Sequence, residues 1–234
     1  MALWGNPLKS LAAVVFGLLG GWAMTGSAGA ETPAQFTYKV THAVFGDIGT
    51  YTNTVEPARD GTTVQTQAHF DVKMLGVRVF HEEANRTERW QGNRLIAYHS
   101  VTDKGDGPYE IKGEARGNAF VIASTKGTIT APWSVHPANP WSSRFVHSNT
   151  MMRPDTGRLE QVRVSPGQET TVNIDGAGVP AVKYEIDGST KYAVWLDGRG
   201  VPVKFWIDDD TGKVTFTLAK CDGCNAVVSQ LEKR

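Results

Sequence analysis

The chain has 234 residues, and its 24 lysine and arginine residues balance 24 aspartate and glutamate residues, so the formal net charge is zero at pH 7. A chain without excess positive charge offers no basic surface for a phosphate backbone, which excludes nucleic acid as a partner. The length suits one β-rich domain with a sizeable core. We therefore expect apolar molecules, proteins or neutral surfaces as partners.

The first 30 residues have the features of an export signal. Lys9 precedes an apolar run at residues 11–24, and small residues follow as far as Ala30. The run is short for a bilayer span, which needs about 20 residues, so a cleaved signal peptide is favoured over an uncleaved anchor. The sequence predicts a signal peptide at residues 1–30, a single domain at 31–234 and a periplasmic or secreted location.

Strand patterns fill residues 36–125. Apolar and polar residues alternate in segments of strand length, which are separated by turns rich in glycine, aspartate and asparagine. This period of two is typical of antiparallel strands that cover a core with one face. Within this region, Arg78, Glu82, Arg86 and Glu88 share one strand face. The lipid-facing side of a membrane barrel must be apolar, so we favour a soluble curved sheet over a membrane barrel.

The alternation stops in an insert at about residues 131–157, which is rich in proline and aromatic residues. Asn139 followed by Pro140 suits an N-cap and the first helical position. We predict a short helix over residues 141–147, with Trp141 and Phe145 on one face because they are four residues apart.

The alternation returns at about residue 158 and is clearest at residues 191–220. Tyr192, Val194 and Leu196 alternate there with more polar neighbours, and turns are predicted at Asp197-Gly198 and Thr211-Gly212. The predicted fold is mainly β: a curved antiparallel sheet, an open or half barrel of meander topology, with a short helical insert.

Cys221 and Cys224 are the two cysteines of the chain. An oxidising compartment favours a disulfide between them. A redox pair and half of a metal site are the alternatives for this spacing. The disulfide is predicted to hold the end of the last strand in place.

Three stretches carry a resemblance to a known family: FTYKVTHAVFGDIG at residues 36–49, the end of the insert at 155–158, and VWLDGRGVPVKFWI at 194–207. They resemble an uncharacterised family of bacterial exported proteins, a domain of unknown function. That family is similar in turn to the lipoprotein-carrier fold, in which an incomplete barrel wraps a helix and holds acyl chains. The resemblance implies no catalytic residues.

Motifs with catalytic or metal chemistry are weak. Asp-Thr-Gly occurs at residues 155–157 and 210–212, as in aspartic proteases, but both copies stand in polar surroundings that favour turns. The aspartate run at 208–210 lacks the ligand spacing of a calcium loop. Six scattered histidines form no zinc motif. We predict no enzymatic activity, cofactor or metal, with an envelope hydrolase as the least favoured function.

The remaining candidates are apolar residues of the insert and of the last strands. They are predicted to line an apolar ligand groove between the sheet and the insert, or else to fill a dry core. The predicted ligand-binding residues are Trp133, Trp141, Phe145, Met151, Met152, Trp195 and Trp206.

The sequence thus favours a non-enzymatic periplasmic binding protein for a lipid or other apolar molecule, which acts in envelope maintenance or transport. The alternative is a structural or protein-interaction module with a filled core and an envelope protein as its partner. A solvent-reachable internal cavity would favour the first, and an exposed sheet edge or patch the second.

Overall fold

A computed structural model describes residues 33–209 and 212–224, and most of these residues lie in β-strands. The predicted signal peptide and the predicted turn at Thr211 lie outside these residues. Within them the strands are β1 (Ala34–His42), β2 (Gly46–Ala58), β3 (Gly61–Met74), β4 (Val77–Gln91), β5 (Arg94–Asp103), β6 (Pro108–Arg116), β7 (Ala119–Ser124), β8 (Gly127–Pro132), β9 (His136–Pro137), β10 (Thr150–Met152), β11 (Leu159–Gln161), β12 (Arg163–Val164), β13 (Gln168–Ile174), β14 (Ala177–Asp187), β15 (Lys191–Asp197), β16 (Pro202–Asp209) and β17 (Gly212–Asp222).

One large antiparallel sheet contains fourteen of the strands in the described ranges. Its order is β12-β14-β15-β16-β17-β1-β2-β3-β4-β5-β6-β7-β8, and β13 pairs with β14. The first strand therefore lies inside the sheet, where Val40 is opposite Gly49 of β2 and Phe216 of β17. The sheet is curved and not closed. This confirms the predicted mainly β fold with a curved, open antiparallel sheet.

Alternation along the strands sets the inward face of this sheet. In β1, Phe36, Tyr38 and Val40 are buried, whereas the residues between them are more exposed. The same alternation gives β3 its buried even-numbered positions, such as Ala68 and Phe70. Burial of such apolar side chains is the main stabilising contribution to a sheet of this kind.

Two hairpins have two-residue turns with left-handed backbone at both positions. Leu75 and Gly76 have φ of 51° and 80°, and they connect the paired residues Met74 and Val77. Asp175 and Gly176 form the matching turn between β13 and β14, with φ of 48° and 86°. Turns of this hand match the twist of the strands that they join.

The insert connects the two ends of the large sheet. It contains a small sheet of β11-β10-β9 and a 3-10 helix at Ser143–His147, so the predicted helical insert is present but its helix is shorter than 141–147. The helix is preceded by Ser142, and the predicted cap, Asn139, is instead buried in a hydrogen-bond network with the large sheet. That network holds Asn139 away from the helix end.

The cysteine pair lies at the end of β17. Cys221 and Cys224 are at disulfide distance, with their Cα atoms 5.8 Å apart. Among residues 33–209 and 212–224, no helix has both the length and the apolar character that crossing a membrane requires.

Candidate ligand-binding site

A cavity of about 430 Å³ lies against the inward face of the large sheet. Its apolar wall comes from neighbouring strands that run from β16 through β17 to β3. Phe205 and Phe216 are opposite one another on β16 and β17, and their rings stack with centroids 4.3 Å apart. Phe216 also makes edge contacts with Tyr51 and Phe70, at centroid distances of 5.3 and 6.2 Å. The wall is therefore mainly aromatic.

The cavity opens between two hairpins whose apolar residues are exposed. Phe45, Met74, Val79 and Phe80 line the cavity and are between 38% and 51% exposed. Val44, Leu75 and Val77 beside them are more exposed still. Apolar side chains that line a cavity and also face solvent define its mouth, and contiguous patches of this kind usually mark a binding site.

Charged side chains line another part of the cavity. Glu82 is bound by Arg86, with Nη2 to Oε1 at 3.2 Å, and by Lys104, with Nζ to Oε2 at 3.4 Å. Asp155 is bound by Lys104, with Nζ to Oδ2 at 3.2 Å, and by Arg153, with Nε to Oδ1 at 3.3 Å. Lys104 therefore bridges two carboxylates from distant parts of the chain.

Burial and ion pairing act in opposite directions on this cluster. Burial alone would raise the pKa of Asp155, but Arg153 and Lys104 hold it below its usual range. Burial would lower the pKa of Lys104, but Glu82 and Asp155 raise it. Both groups are therefore charged at neutral pH, and the cluster is ionic.

A buried polar network lies between the cavity and the aromatic residues of the insert. Tyr51 donates to Asn139 Oδ1 at 2.8 Å, and Asn139 Nδ2 donates to Glu88 Oε1 at 2.8 Å. Glu88 Oε2 accepts from Trp90 Nε1 at 2.9 Å and from Trp141 Nε1 at 3.0 Å. Burial raises the pKa of Glu88 to about 7, although its three N–H donors and Arg86 act to lower it. The network fixes the insert to the sheet beneath the cavity.

The seven predicted ligand-binding residues lie outside the lining of this cavity. Trp141, Phe145, Met151 and Met152 are buried in the insert, and Trp133 is 52% exposed. Trp195 lies between Lys183 and Lys204, with each ammonium within 5.5 Å of the ring centroid. The structure does not bring the seven together in one groove, and their role in ligand binding stays a prediction.

Trp206 lines a second, smaller feature on the molecule. This hollow, of about 400 Å³, is bordered by charged residues such as Arg163, Glu185 and Lys191. Lys213 places its ammonium 4.4 Å from the centre of the Trp206 ring. The mixed charges give this hollow a polar rim, unlike the aromatic wall of the large cavity.

The charged cluster and the residues that line the cavity are absent from the predicted site residues. The charges of Glu82, Arg86 and Glu88 predict a polar strand face, but the three residues are buried with exposures of 8%, 6% and 1%. One signal was available in the sequence: Ala84 and Trp90 occupy even positions of the same strand, and both are core residue types. Alternation therefore places the three charged residues on the inward face.

No group of three or more histidine, cysteine or acidic residues suited to a metal ion occurs in the described ranges. His81, Glu82 and Glu83 are adjacent in the sequence but do not converge on one point. Glu82 faces inward to Arg86, whereas Glu83 contacts His69 at the surface.

An open, curved β-sheet with an internal cavity defines this protein as β-barrel-like. The chain belongs to the family described as a domain of unknown function, DUF6134, which it matches over residues 39–219. Its fold is similar to that of a β-barrel-like protein of domain of unknown function DUF1849 from Brucella abortus, with a TM-score of 0.61 and 15% sequence identity. The similarity covers 82% of this chain and 98% of that chain.

The structural similarity extends to the fold alone at this level of identity. No match was found among curated proteins. The predicted resemblance to an uncharacterised family with a barrel-like fold is thus confirmed.

Proposed function

We propose that this protein binds a lipid or other apolar molecule in the cavity, without covalent chemistry, and that it does so in the periplasm or outside the cell in envelope maintenance or transport. The observation that carries the proposal is the cavity of about 430 Å³ with its aromatic wall and exposed apolar mouth. Sites for small molecules are concave, mostly apolar and polar at a few points, with volumes of about 300–1,000 Å³.

The alternative, a protein-interaction module, predicts a filled core with an exposed sheet edge or patch. The exposed apolar residues such as Phe45 and Phe80 form a patch, but they also line the cavity, so the core decides between the two functions. The core next to the insert is filled, because Trp90, Met151 and Met152 are packed there with at most 2% exposure. The core at the cavity is not filled, since Phe70, Val72 and Phe205 line the cavity. A cavity that reaches solvent favours ligand binding over a purely structural role.

Native mass spectrometry of the protein purified from expressing cells, followed by solvent extraction, tests the proposal. A stoichiometric apolar adduct is the expected result, and extraction identifies its class. A clean unliganded mass, together with no uptake of added phospholipid or fatty acid, would contradict the proposal and favour the interaction module.

A substitution that fills the cavity tests whether the bound molecule occupies this site. Val72 lines the cavity on β3, opposite Phe80 of β4. Val72→Trp places a large side chain in the cavity and is expected to weaken uptake about tenfold or more. The matched control is Val121→Trp, because Val121 lies on β7 outside the cavity lining and is partly exposed. Equal uptake by the two folded variants would place the ligand elsewhere.

A further inference from the structure

We infer that the ligand is a single-chain amphiphile with an anionic head group, a carboxylate or a phosphate, and that Arg86 and Lys104 bind this head group. The inference rests on the proposed function, since it names the class of molecule that the cavity holds. It depends on three observations: the balance of charge at the cavity, an unpaired donor on Arg86, and the arrangement of the apolar wall.

The charged side chains of the cavity favour an anion. The lining contains three cations, Arg86, Lys104 and Arg153, and two carboxylates, Glu82 and Asp155, which leaves one excess positive charge. Each of the four carboxylate oxygens already has a cationic partner within 3.4 Å. The carboxylates are therefore ion-paired within the cluster, and a head group in the cavity meets a lining with a net excess of one positive charge.

Glu88 is close to this cluster but does not line the cavity, so it does not change the net charge of the cavity lining. It is absent from the lining, and its two oxygens accept hydrogen bonds from Asn139, Trp90 and Trp141. A ligand in the cavity therefore meets Arg86 before it meets Glu88.

Arg86 retains hydrogen-bonding capacity. Arg86 lines the cavity and is 6% exposed. The Nε atom of its guanidinium is buried without a hydrogen-bond partner. A buried donor that lacks a partner is unfavourable, and more so when the group is charged. The planar guanidinium suits a carboxylate or phosphate, which accepts two hydrogen bonds from it. Because Nε itself has almost no exposed surface, a small turn of the guanidinium toward the cavity is needed for an anionic head group to supply the missing acceptor.

Lys104 and the apolar wall complete the site. The Lys104 side chain is 44% exposed, so its ammonium has room for an additional partner beside Glu82 and Asp155. The stacked rings of Phe205 and Phe216 form the wall beside this cluster. A head group at Arg86 thus places an alkyl chain along the aromatic wall toward the mouth. The volume is in the lower half of the usual range for such sites, which favours one chain.

The inference is tested with probes that share one alkyl chain and differ in the head group. The delipidated protein is titrated calorimetrically with a long-chain fatty acid, the alkyl phosphate, the fatty alcohol and the alkyl trimethylammonium of the same chain length. The acid, the phosphate or both are expected to bind about ten- to a hundredfold more tightly than the alcohol and the ammonium. A preference between the two anions distinguishes carboxylate from phosphate as the natural head group.

Substitutions assign the preference to named residues. Arg86→Met and, separately, Lys104→Met are expected to weaken binding of the anionic probes about tenfold or more while affecting the alcohol little. Lys104→Met keeps the test informative if Arg86→Met does not fold, because Lys104 is partly exposed. The matched control is Lys112→Met, whose side chain is 66% exposed on β6 and pairs with Glu110 away from the cavity.

Failure of the inference and failure of the proposed function give different results. Equal binding of all four probes, tightest binding of the ammonium, or anion binding unaffected by both lysine and arginine substitutions would overturn the inference and leave apolar binding standing. No binding of any probe, in a protein that also carries no native adduct, would overturn both.

Discussion

At the scale of single residues, Glu88 connects the insert to the sheet and introduces pH dependence. Its pKa is raised to about 7 by burial, above the ordinary value of 4.5. The folded state therefore binds the proton more tightly than the unfolded state, and the contribution to stability is present below pH 4.5 and is lost as the pH rises through about 7. Glutamine at this position does not titrate and keeps nearly the same shape.

We expect the stability of the native protein relative to Glu88→Gln to fall by about 3 kcal/mol between pH 4.5 and pH 8, since one pKa unit corresponds to about 1.4 kcal/mol. Chemical denaturation of both proteins across this range measures the difference. A difference that stays constant, or that grows with pH, would show that the carboxyl keeps an ordinary or lowered pKa in the fold.

His136 is expected to act with the opposite sign. It packs against the Trp90 ring at 4.7 Å, and burial, with smaller effects of Arg144 and His147, lowers its pKa to about 4. Because the folded state disfavours the protonated ring, the contribution of His136 is present above pH 6.5 and is lost as the pH falls toward 4. The native protein should therefore gain stability relative to His136→Gln as the pH rises from about 4 to 6.5.

The two titrations overlap, so the native protein alone shows a flattened pH profile in which they offset one another. The variants separate them when they are measured by denaturation at matched ionic strength. For each variant, the quantity to compare is the stability of the native protein relative to the variant, plotted against pH. If this plot had a slope of the same sign for His136→Gln and for Glu88→Gln, the two residues would not have opposite protonation preferences.

At the scale of elements, the turn between β3 and β4 combines backbone strain with exposure. Leu75 has φ of 51° and its side chain is fully exposed at the mouth of the cavity. Left-handed backbone costs a residue such as leucine about 1–2 kcal/mol, whereas asparagine tolerates it. A strained, exposed leucine in a tight turn is unfavourable for folding, which is consistent with a role in ligand access.

Leu75→Asn is therefore expected to stabilise the protein by about 1 kcal/mol and to slow the uptake of a fluorescent fatty acid in stopped-flow measurements. The matched control is Asp175→Asn in the equivalent turn of β13 and β14, where the native residue already tolerates φ of 48°. That control should change neither quantity. Faster or unchanged uptake by Leu75→Asn would remove Leu75 from the access route.

The elements also show what the sequence does and does not determine. The alternation of apolar and polar residues predicts strands β15 and β16. Val194 of β15 and Phe205 of β16 are opposite one another, and both are buried in the core. It did not identify the partners of buried charges, since Glu88 and Asn139 are 51 residues apart and the hydrogen bond between them exists only after the insert has crossed the sheet. The same long-range contact explains why Asn139 is not a helix cap.

The candidate site was less predictable than the fold for the same reason. Aromatic residues such as Trp141 suggested a ligand groove, yet Trp141 packs against Trp90 and donates to Glu88 beneath the cavity. The cavity is instead lined by strands β2, β3 and β4 on one side and β16 and β17 on the other, together with a few residues of the insert such as Asp155. The two groups of strands are distant in sequence and become neighbours through the pairing of β1 with β17. Composition cannot show which core residues face a cavity and which are packed.

At the scale of the whole molecule, the pairing of β1 with β17 joins the two halves of the chain into one sheet. The eight strands from β1 to β8 extend in one direction from this pair, and β17, β16, β15 and β14 extend in the other. Non-local pairing of this kind must form before the core is complete, and its loop closure is unfavourable until burial compensates for it.

This topology predicts where amide protection is greatest. β1 is paired on both sides and buries Phe36, Tyr38 and Val40, whereas β8 is an end strand of the sheet with mainly exposed residues. Amides that open only in global unfolding exchange most slowly, and edge strands open locally at lower free energy.

Native-state hydrogen exchange should therefore find the slowest amides in β1 and β17. Amides of β8 should exchange about 10²-fold or more faster, which is equivalent to roughly 3 kcal/mol. The comparison uses rates corrected for local sequence. Exchange in β1 as fast as in β8 would mean that the two halves separate without global unfolding, and the cavity between them would then open along the β1–β17 junction instead of at its apolar mouth.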